Sequence, residues 1–267
     1  MLRRSIQTLQ EMLPYIPSLQ TSIDTLTQLS SDSKEEELAD AMSNLHIKQM
    51  FTPDIKKKFR ENFTKAVKGY HLLNDTPIKE ARWEDVNATI LEASGFPVVS
   101  QNGSHVSGAD LTCSFGSLSN KSMKYSNGFD MSSYRLTSVT SAGSYGTAEE
   151  IIAEIQKRKN FQYYSMIIRK ELETIDYDWY LIPADHPTLD PASYQWLPMM
   201  GKTGKNKDKV IGWETNSLNG SYMTITFSMS SQLWVHIANV DLEEYKMGSA
   251  SSVPRKYNYI QLFERDL

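Results

Sequence analysis

The sequence predicts an α/β or α+β core behind a helical N-terminal region. Three observations carry this. Up to about residue 95 the apolar residues recur at helical spacing, beyond it short alternating or β-branched runs take over, and one capped helical segment interrupts those runs near residue 150. Helices and strands in that order bury their apolar faces by layering helices on a sheet.

The elements follow in chain order. In SIQTLQEMLPYIPSLQTSIDTLTQL, Ile6, Leu9, Leu13 and Ile16 share a helical stripe, with Pro14 and Pro17 as breaks or kinks. SDSKEEELADAMSNL opens with Ser/Asp caps and an acidic first turn. TPDIKKKFRENFTKAVKGYHLL has Thr52 as cap, Pro53 as first helical residue, and Ile55, Phe59, Phe63 and Val67 on one stripe. Its other face carries Lys56, Lys57, Lys58, Arg60, Lys65 and Lys68, a solvated face or a phosphate-contacting one. IKEARWEDVNATILEASGF is the next helix, with Trp83, Val86, Ile90 and Leu91 inward and Gly95 at its C-terminus.

FPVVSQ, ADLTCSF, LSNKSMKY and SYRLTSVTS then read as strands and hairpins. GTAEEIIAEIQKR returns to helix, with Thr147 as cap, Glu149 and Glu150 in the first turn, and Ile151, Ile152 and Ile155 buried. FQYYSMIIRKEL and YDWYLIPAD are strands, a loop spans about 184 to 209, and VIGWET, SYMTITFSM and QLWVHIANV form a late meander, with KYNYIQLF as one more strand. Two regions result: a helical N-terminal region over 1–75, and a core over 76–267 that ends in a β-rich extension.

Composition bounds the chemistry. The 267 residues, 40% apolar and 22% charged, suffice for a substantial core, and a net charge of -4 supplies no global field for a polyanion, so a nucleic-acid surface needs a local basic lining. One cysteine, Cys113, excludes a disulfide framework and a thiolate zinc cluster. The N-terminus lacks a continuous apolar segment of the secretory kind, and no run approaches the roughly 18 apolar residues of a membrane span, so an intracellular, soluble, cytoplasmic protein is expected. The five histidines are scattered, and no phosphate-binding glycine loop or G-x-S-x-G elbow occurs.

What remains is a carboxylate and lysine constellation in SGADLTCSFGSLSNKSMKY. Asp110 begins one strand, FGS turns the chain, and Ser119 to Lys124 return beside it. A two-residue turn places Asp110 on the face of Ser119 and Lys121, and a three-residue turn substitutes Ser122 and Lys124. Mg²⁺ takes few protein oxygens and keeps positions for water and phosphate, and a nearby lysine can orient the attacking water and stabilise phosphate charge. Each residue also has an ordinary role: Asp110 as turn former, Lys121 and Lys124 as edge-strand charges, Glu84 as a first-turn helix charge.

The stretch WEDVNATILEASGF, SGADLTCSFGSLSNKSMKY and FDMSSYRL resembles the core of PD-(D/E)xK nucleases of the type II restriction endonuclease kind over roughly residues 80 to 185. The resemblance implies a mixed β-sheet flanked by helices, with Glu84 as the helix glutamate, Asp110 as the metal-binding aspartate and Lys121, or else Lys124, as the lysine. Serine replaces the motif acid in both frames, as Ser119 or Ser122. Some members are similar in having serine there, with the second carboxylate drawn from elsewhere, here Glu84, Glu150 or Glu154. It further implies Mg²⁺, sequence-specific cleavage of double-stranded DNA, and a homodimer that cuts a symmetric site.

DNA contacts are expected outside the hairpin, from Ser133 and Arg135 in SSYRLTS and from Lys202, Lys205 and Lys207 in the glycine-spaced GKTGKNKDK, a closing loop or a solvated one. Two rival readings are a DNA-binding protein that does not cut, favoured by the serine, and a β-rich carbohydrate- or protein-binding module, favoured by the aromatic second half.

Overall fold

A computed structural model gives the fold of residues 51–101, 108–125, 129–136, 146–227, 231–238, 242–254, 257 and 259–263. The stripe of Ile6, Leu9, Leu13 and Ile16 and the helix expected near 31–45 lie outside the described residues. The chain divides into two compact units, Met1–Ile55 and Lys56–Leu267. The second unit is a mixed α+β structure with two sheets, and the rest of this section concerns it.

Helix α1 (Pro53–Leu73) starts where the local chemistry directs: Ile55 N–H donates to Thr52 Oγ1 at 3.3 Å, and Pro53 occupies the first helical position. Its stripe of Phe59, Phe63 and Val67 is buried. Helix α2 (Glu80–Ala93) buries Trp83, Ile90 and Leu91 as expected, but also Asn87 and Ala88, while Val86 is only half-buried. Gly95 follows with a φ of 95°, the left-handed conformation that ends helices at a glycine.

Sheet A has six strands: β1 (Val98–Gln101), β2 (Leu111–Cys113), β3 (Gly116–Lys124), β5 (Tyr163–Glu171), β6 (Ile175–Pro183) and β11 (Lys246–Ser252), in the spatial order β1-β2-β3-β5-β6-β11. β3 and β5 run parallel, and every other pairing in this sheet is antiparallel. Parallel neighbours need a crossover, and helix α3 (Ala148–Arg158) lies within it. Thr147 and Glu150 form a reciprocal capping box at the start of α3, and Ile151 and Ile155 are buried.

Sheet B is wholly antiparallel, in the order β4-β10-β9-β8-β7, with β4 (Phe129–Arg135), β7 (Trp196–Met200), β8 (Val210–Thr215), β9 (Tyr222–Thr226) and β10 (Gln232–Ile237). β7 lies where the sequence suggests only a loop, and β11 falls in a Gly/Ser-rich stretch without a strand signal. The segment expected to close the chain as a strand is instead the short helix Tyr259–Phe263.

An aromatic cluster joins α1 and α2 to sheet A. Trp179 on β6 meets Phe59, Phe63 and Trp83 with centroids 5.2, 5.7 and 5.9 Å away. The indole N–H groups of Trp83 and Trp179 donate to Ser165 O and Ser165 Oγ, both at 2.9 Å, so each buried ring keeps its polar atom satisfied. Burying a ring of this size contributes about 2–3 kcal/mol before entropy is counted, so the cluster fixes both helices firmly on the sheet. No helix among the described residues is long and apolar enough to cross a membrane.

Candidate active site

The hairpin between β2 and β3 decides the site. Leu111 pairs with Leu118, Thr112 with Ser117 and Cys113 with Gly116, leaving Ser114 and Phe115 as a two-residue turn, one residue earlier than FGS. In this register Asp110 stands opposite Ser119 and shares a face with Lys121. Lys124 projects to the other face and pairs with Glu171 at 3.5 Å, where its side chain is 64% exposed. The turn length thus separates two lysines that the sequence alone leaves equivalent.

β2 ends its pairing at Leu118, so from Ser119 onward the edge of β3 that faces away from β5 has no strand beside it among the described residues. Asp110 fills that gap: its Oδ2 accepts from Asn120 N–H at 2.5 Å and from Ser119 Oγ at 3.2 Å. An open strand edge demands such an acceptor, because a buried N–H without a partner is costly. Ser119, two residues before Lys121, orients Asp110 through its hydroxyl.

Helix α2 lays three polar residues along the mouth of this cleft. Glu80, Glu84 and Asn87 recur at i, i+4 and i+7, one stripe of a helix. Glu80 Oε1 is 2.6 Å from Lys121 Nζ. Asn87 Nδ2 donates to Asn120 Oδ1 at 2.6 Å, and both residues are fully buried. Asn87 Oδ1 and Asn120 Nδ2 lack hydrogen-bond partners. Sliding α2 along β3 would break the remaining bond and orphan two further buried groups, so the pair pins the helix in register.

The start of α2 is pinned as well. Ile78 N–H donates to Tyr177 Oη at 2.9 Å, and Ile78 O accepts from Ser122 Oγ at 2.7 Å. Tyr177 Oη also meets His71 Nε2 at 2.9 Å, and burial pushes the His71 imidazole below its usual range, which suits a neutral ring there.

The electrostatics single out two groups. Burial, together with the charges of Asp110 and Glu80, pushes the Glu84 carboxyl up to about 7, although Lys121 opposes the shift. Burial works against the charge on Lys121, but Glu80 and then Asp110 outweigh it, and its ammonium is held above the usual range. Lys121 is therefore a fixed cation at neutral pH.

The remaining expected residues lie elsewhere. Glu150 is engaged in its own helix cap, and Glu154 pairs with Arg158 at 2.7 Å. The side chains of Ser133 and Arg135, on β4, lie outside the described part of the structure. Lys202, Lys205 and Lys207 are exposed between β7 and β8, in a loop that is folded rather than loose: Gly201 N–H donates to Lys209 O, Asp208 N–H to Gly201 O and Lys207 N–H to Gly204 O. Asn206 O closes over Gly201 where a Cβ would stand. Glu80, Asn87 and Asn120 were not among the expected site residues. The helical spacing from Glu84 back to Glu80 was the available signal, since both fall on one stripe.

Among the described residues no three His, Cys, Asp or Glu converge as a metal-holding set. Two carboxylates, Asp110 and Glu84, remain as donors, and Mg²⁺ is commonly held by one or two carboxylates with waters and substrate phosphates completing its shell. Burial is the main cause that raises Glu84, and the repulsion from Asp110 and Glu80 that adds to it is a charge pattern a divalent cation relieves. No known protein family matches the chain, and neither a curated protein nor a solved structure is similar to it.

Proposed function

We propose that the protein is a Mg²⁺-dependent endonuclease for double-stranded DNA, resembling the PD-(D/E)xK type II restriction enzymes. One observation carries the reading: Asp110, Glu84 and Lys121, distant in sequence, are drawn to one cleft where β2 leaves β3. The order helix with Glu84, strand after Asp110, strand with Lys121 supports the reading as well.

In this mechanism Asp110 and Glu84 would hold Mg²⁺, which would supply Lewis-acid polarisation of the phosphate and a more acidic water when bound. Lys121 stays protonated, so it donates to the attacking water or a phosphate oxygen and stabilises developing negative charge. The water oxygen forms the new bond to phosphorus as the phosphorus bond to one sugar oxygen breaks; the proton the water loses passes to solvent, and the leaving oxygen takes one up from solvent. Ser119 keeps the Asp110 carboxylate aimed. Lys202, Lys205 and Lys207, with Ser133 and Arg135, contact the duplex, and a homodimer sets two such sites against the two strands.

A DNA-binding protein that does not cut is the second reading, favoured by Ser119 in place of an acid and by the two-carboxylate donor set. Mixed-sequence plasmid incubated with Mg²⁺ separates the two. Discrete fragments that vanish in Asp110→Asn support the nuclease, whereas a salt-sensitive gel shift without fragments supports the binder.

A further inference from the structure

We propose that Glu80 is the positioning residue for Lys121: it holds the ammonium at the cleft mouth and yields it to the scissile phosphate when substrate enters. This rests on the nuclease reading and adds to it a residue acting in turnover.

Lysine carries a compact charge on a flexible stem, and about 2 kcal/mol of rotamer entropy opposes holding it in one place. The strand itself offers Lys121 no holding acid. Two residues before it stands Ser119, whose hydroxyl is given to Asp110. The acid comes instead from the helix, with Glu80 Oε1 2.6 Å from Lys121 Nζ.

The two partners differ in exposure. Lys121 is 14% exposed and Glu80 48%, so the bond sits at the solvent edge of the cleft. The carboxylate is the partner free to turn toward water, and an anionic non-bridging phosphate oxygen can take its place and leave the ammonium paired. A pair sealed in the core would resist that exchange.

Glu80 itself is held by the frame around it. Ile78, two residues before it, is fixed to Tyr177 and Ser122, and Asn87, seven residues after it, is fixed to Asn120. Ser122 and Asn120 lie on β3, the strand that carries Lys121, and Tyr177 lies on β6 of the same sheet. The α2 stripe therefore divides its work: Glu84 faces Asp110, and Glu80 holds the lysine.

The test is a cleavage assay on plasmid with Mg²⁺, run on the full chain and on Glu80→Gln, Glu80→Asp, Lys121→Gln and the double Glu80→Gln/Lys121→Gln variant. Glu80→Gln is expected to lower the cleavage rate at saturation about tenfold and to leave half-saturation within about twofold, because a misplaced group acts on turnover rather than on binding. Glu80→Asp recovers part of the rate, and the double variant cuts no more slowly than Lys121→Gln. A full rate in Glu80→Gln, or the same loss in both backgrounds, overturns the proposal. Amine labelling of Lys121, followed by mass spectrometry, needs no activity: it rises in Glu80→Gln, and unchanged labelling refutes the contact. Intact plasmid with the wild-type chain refutes the nuclease reading itself, a result distinct from any difference between variants.

Discussion

The two sheets obey different rules. In sheet B, β9 and β10 alternate, as in β10, where Leu233, Val235 and Ile237 are inward and Gln232, Trp234 and His236 are half-exposed. In sheet A, β5 is buried continuously from Tyr163 to Ile168, and β3 buries the polar pair Ser119 and Asn120. A strand covered on both faces must satisfy any polar group from within the protein, and sheet A recruits Asp110, Asn87, Trp83 and Trp179 for the purpose. The candidate site lies where the alternation rule is broken, on the sheet that bears the cost of buried polarity.

The sharpest way to break this contrast is a matched pair of isosteric changes. Asp110→Asn on sheet A should reduce cleavage by roughly a thousandfold, a loss typical of removing a group that stabilises transition-state charge. Asp130→Asn on sheet B, where the carboxylate pairs with His236 at 2.7 Å, should leave the rate within about twofold. Equal losses in a plasmid assay would place the chemistry outside the cleft.

Next in size is packing. Trp179→Ala empties the centre of the aromatic cluster and should cost about 3–5 kcal/mol, whereas Trp234→Ala on the half-exposed face of sheet B should cost about 1 kcal/mol. Urea unfolding of both variants checks the ranking, and a larger loss at Trp234 would reverse it.

A smaller effect is the pH response of Glu84. Its folded pKa of about 7 lies above the ordinary value of 4.5, so between those values the folded state keeps a proton that the unfolded chain releases. The Glu84 contribution to stability is fully present below about pH 4.5 and is lost as pH rises through about 7. Glu84→Gln removes this titration, so its Tm relative to wild type should climb across that window, and Mg²⁺ at pH 8 should raise the wild-type Tm more. A Tm difference that is flat from pH 4 to pH 9 would show that Glu84 is not strained by its neighbours.

The smallest effect belongs to Lys124. It pairs with Glu171 at the surface, and Lys124→Ala should change stability by less than about 0.5 kcal/mol and leave cleavage intact. A loss of cleavage equal to that of Lys121→Ala would mean that the register of β3 is wrong.

Much of this architecture was legible in the residues. Thr52 and Pro53, Thr147 with Glu150, and Gly95 mark helix ends through contacts that span a few positions, and the stripes of Phe59, Phe63 and Val67 or of Ile151 and Ile155 follow from the helical period. Asp110 could be singled out because it opens a strand beside a lysine-bearing one. β7 and β11 were not legible, since WLPMM and KMGSASS carry weak strand signals and form only because neighbouring strands offer free edges.

The sequence by itself therefore determined helices α1, α2 and α3, most of the strands and the pairing of one aspartate with one of two lysines. Tertiary structure alone decided the rest: the two-residue turn that selects Lys121, the parallel seating of β3 on β5, the split into two sheets, and the arrival of Glu80 at a lysine 41 residues away. The physical reason is range. Caps and periodicity are set by bonds within a turn or two of chain, whereas the cleft is closed by α2, whose place depends on Trp83, Asn87 and Ile78 finding partners on three different strands.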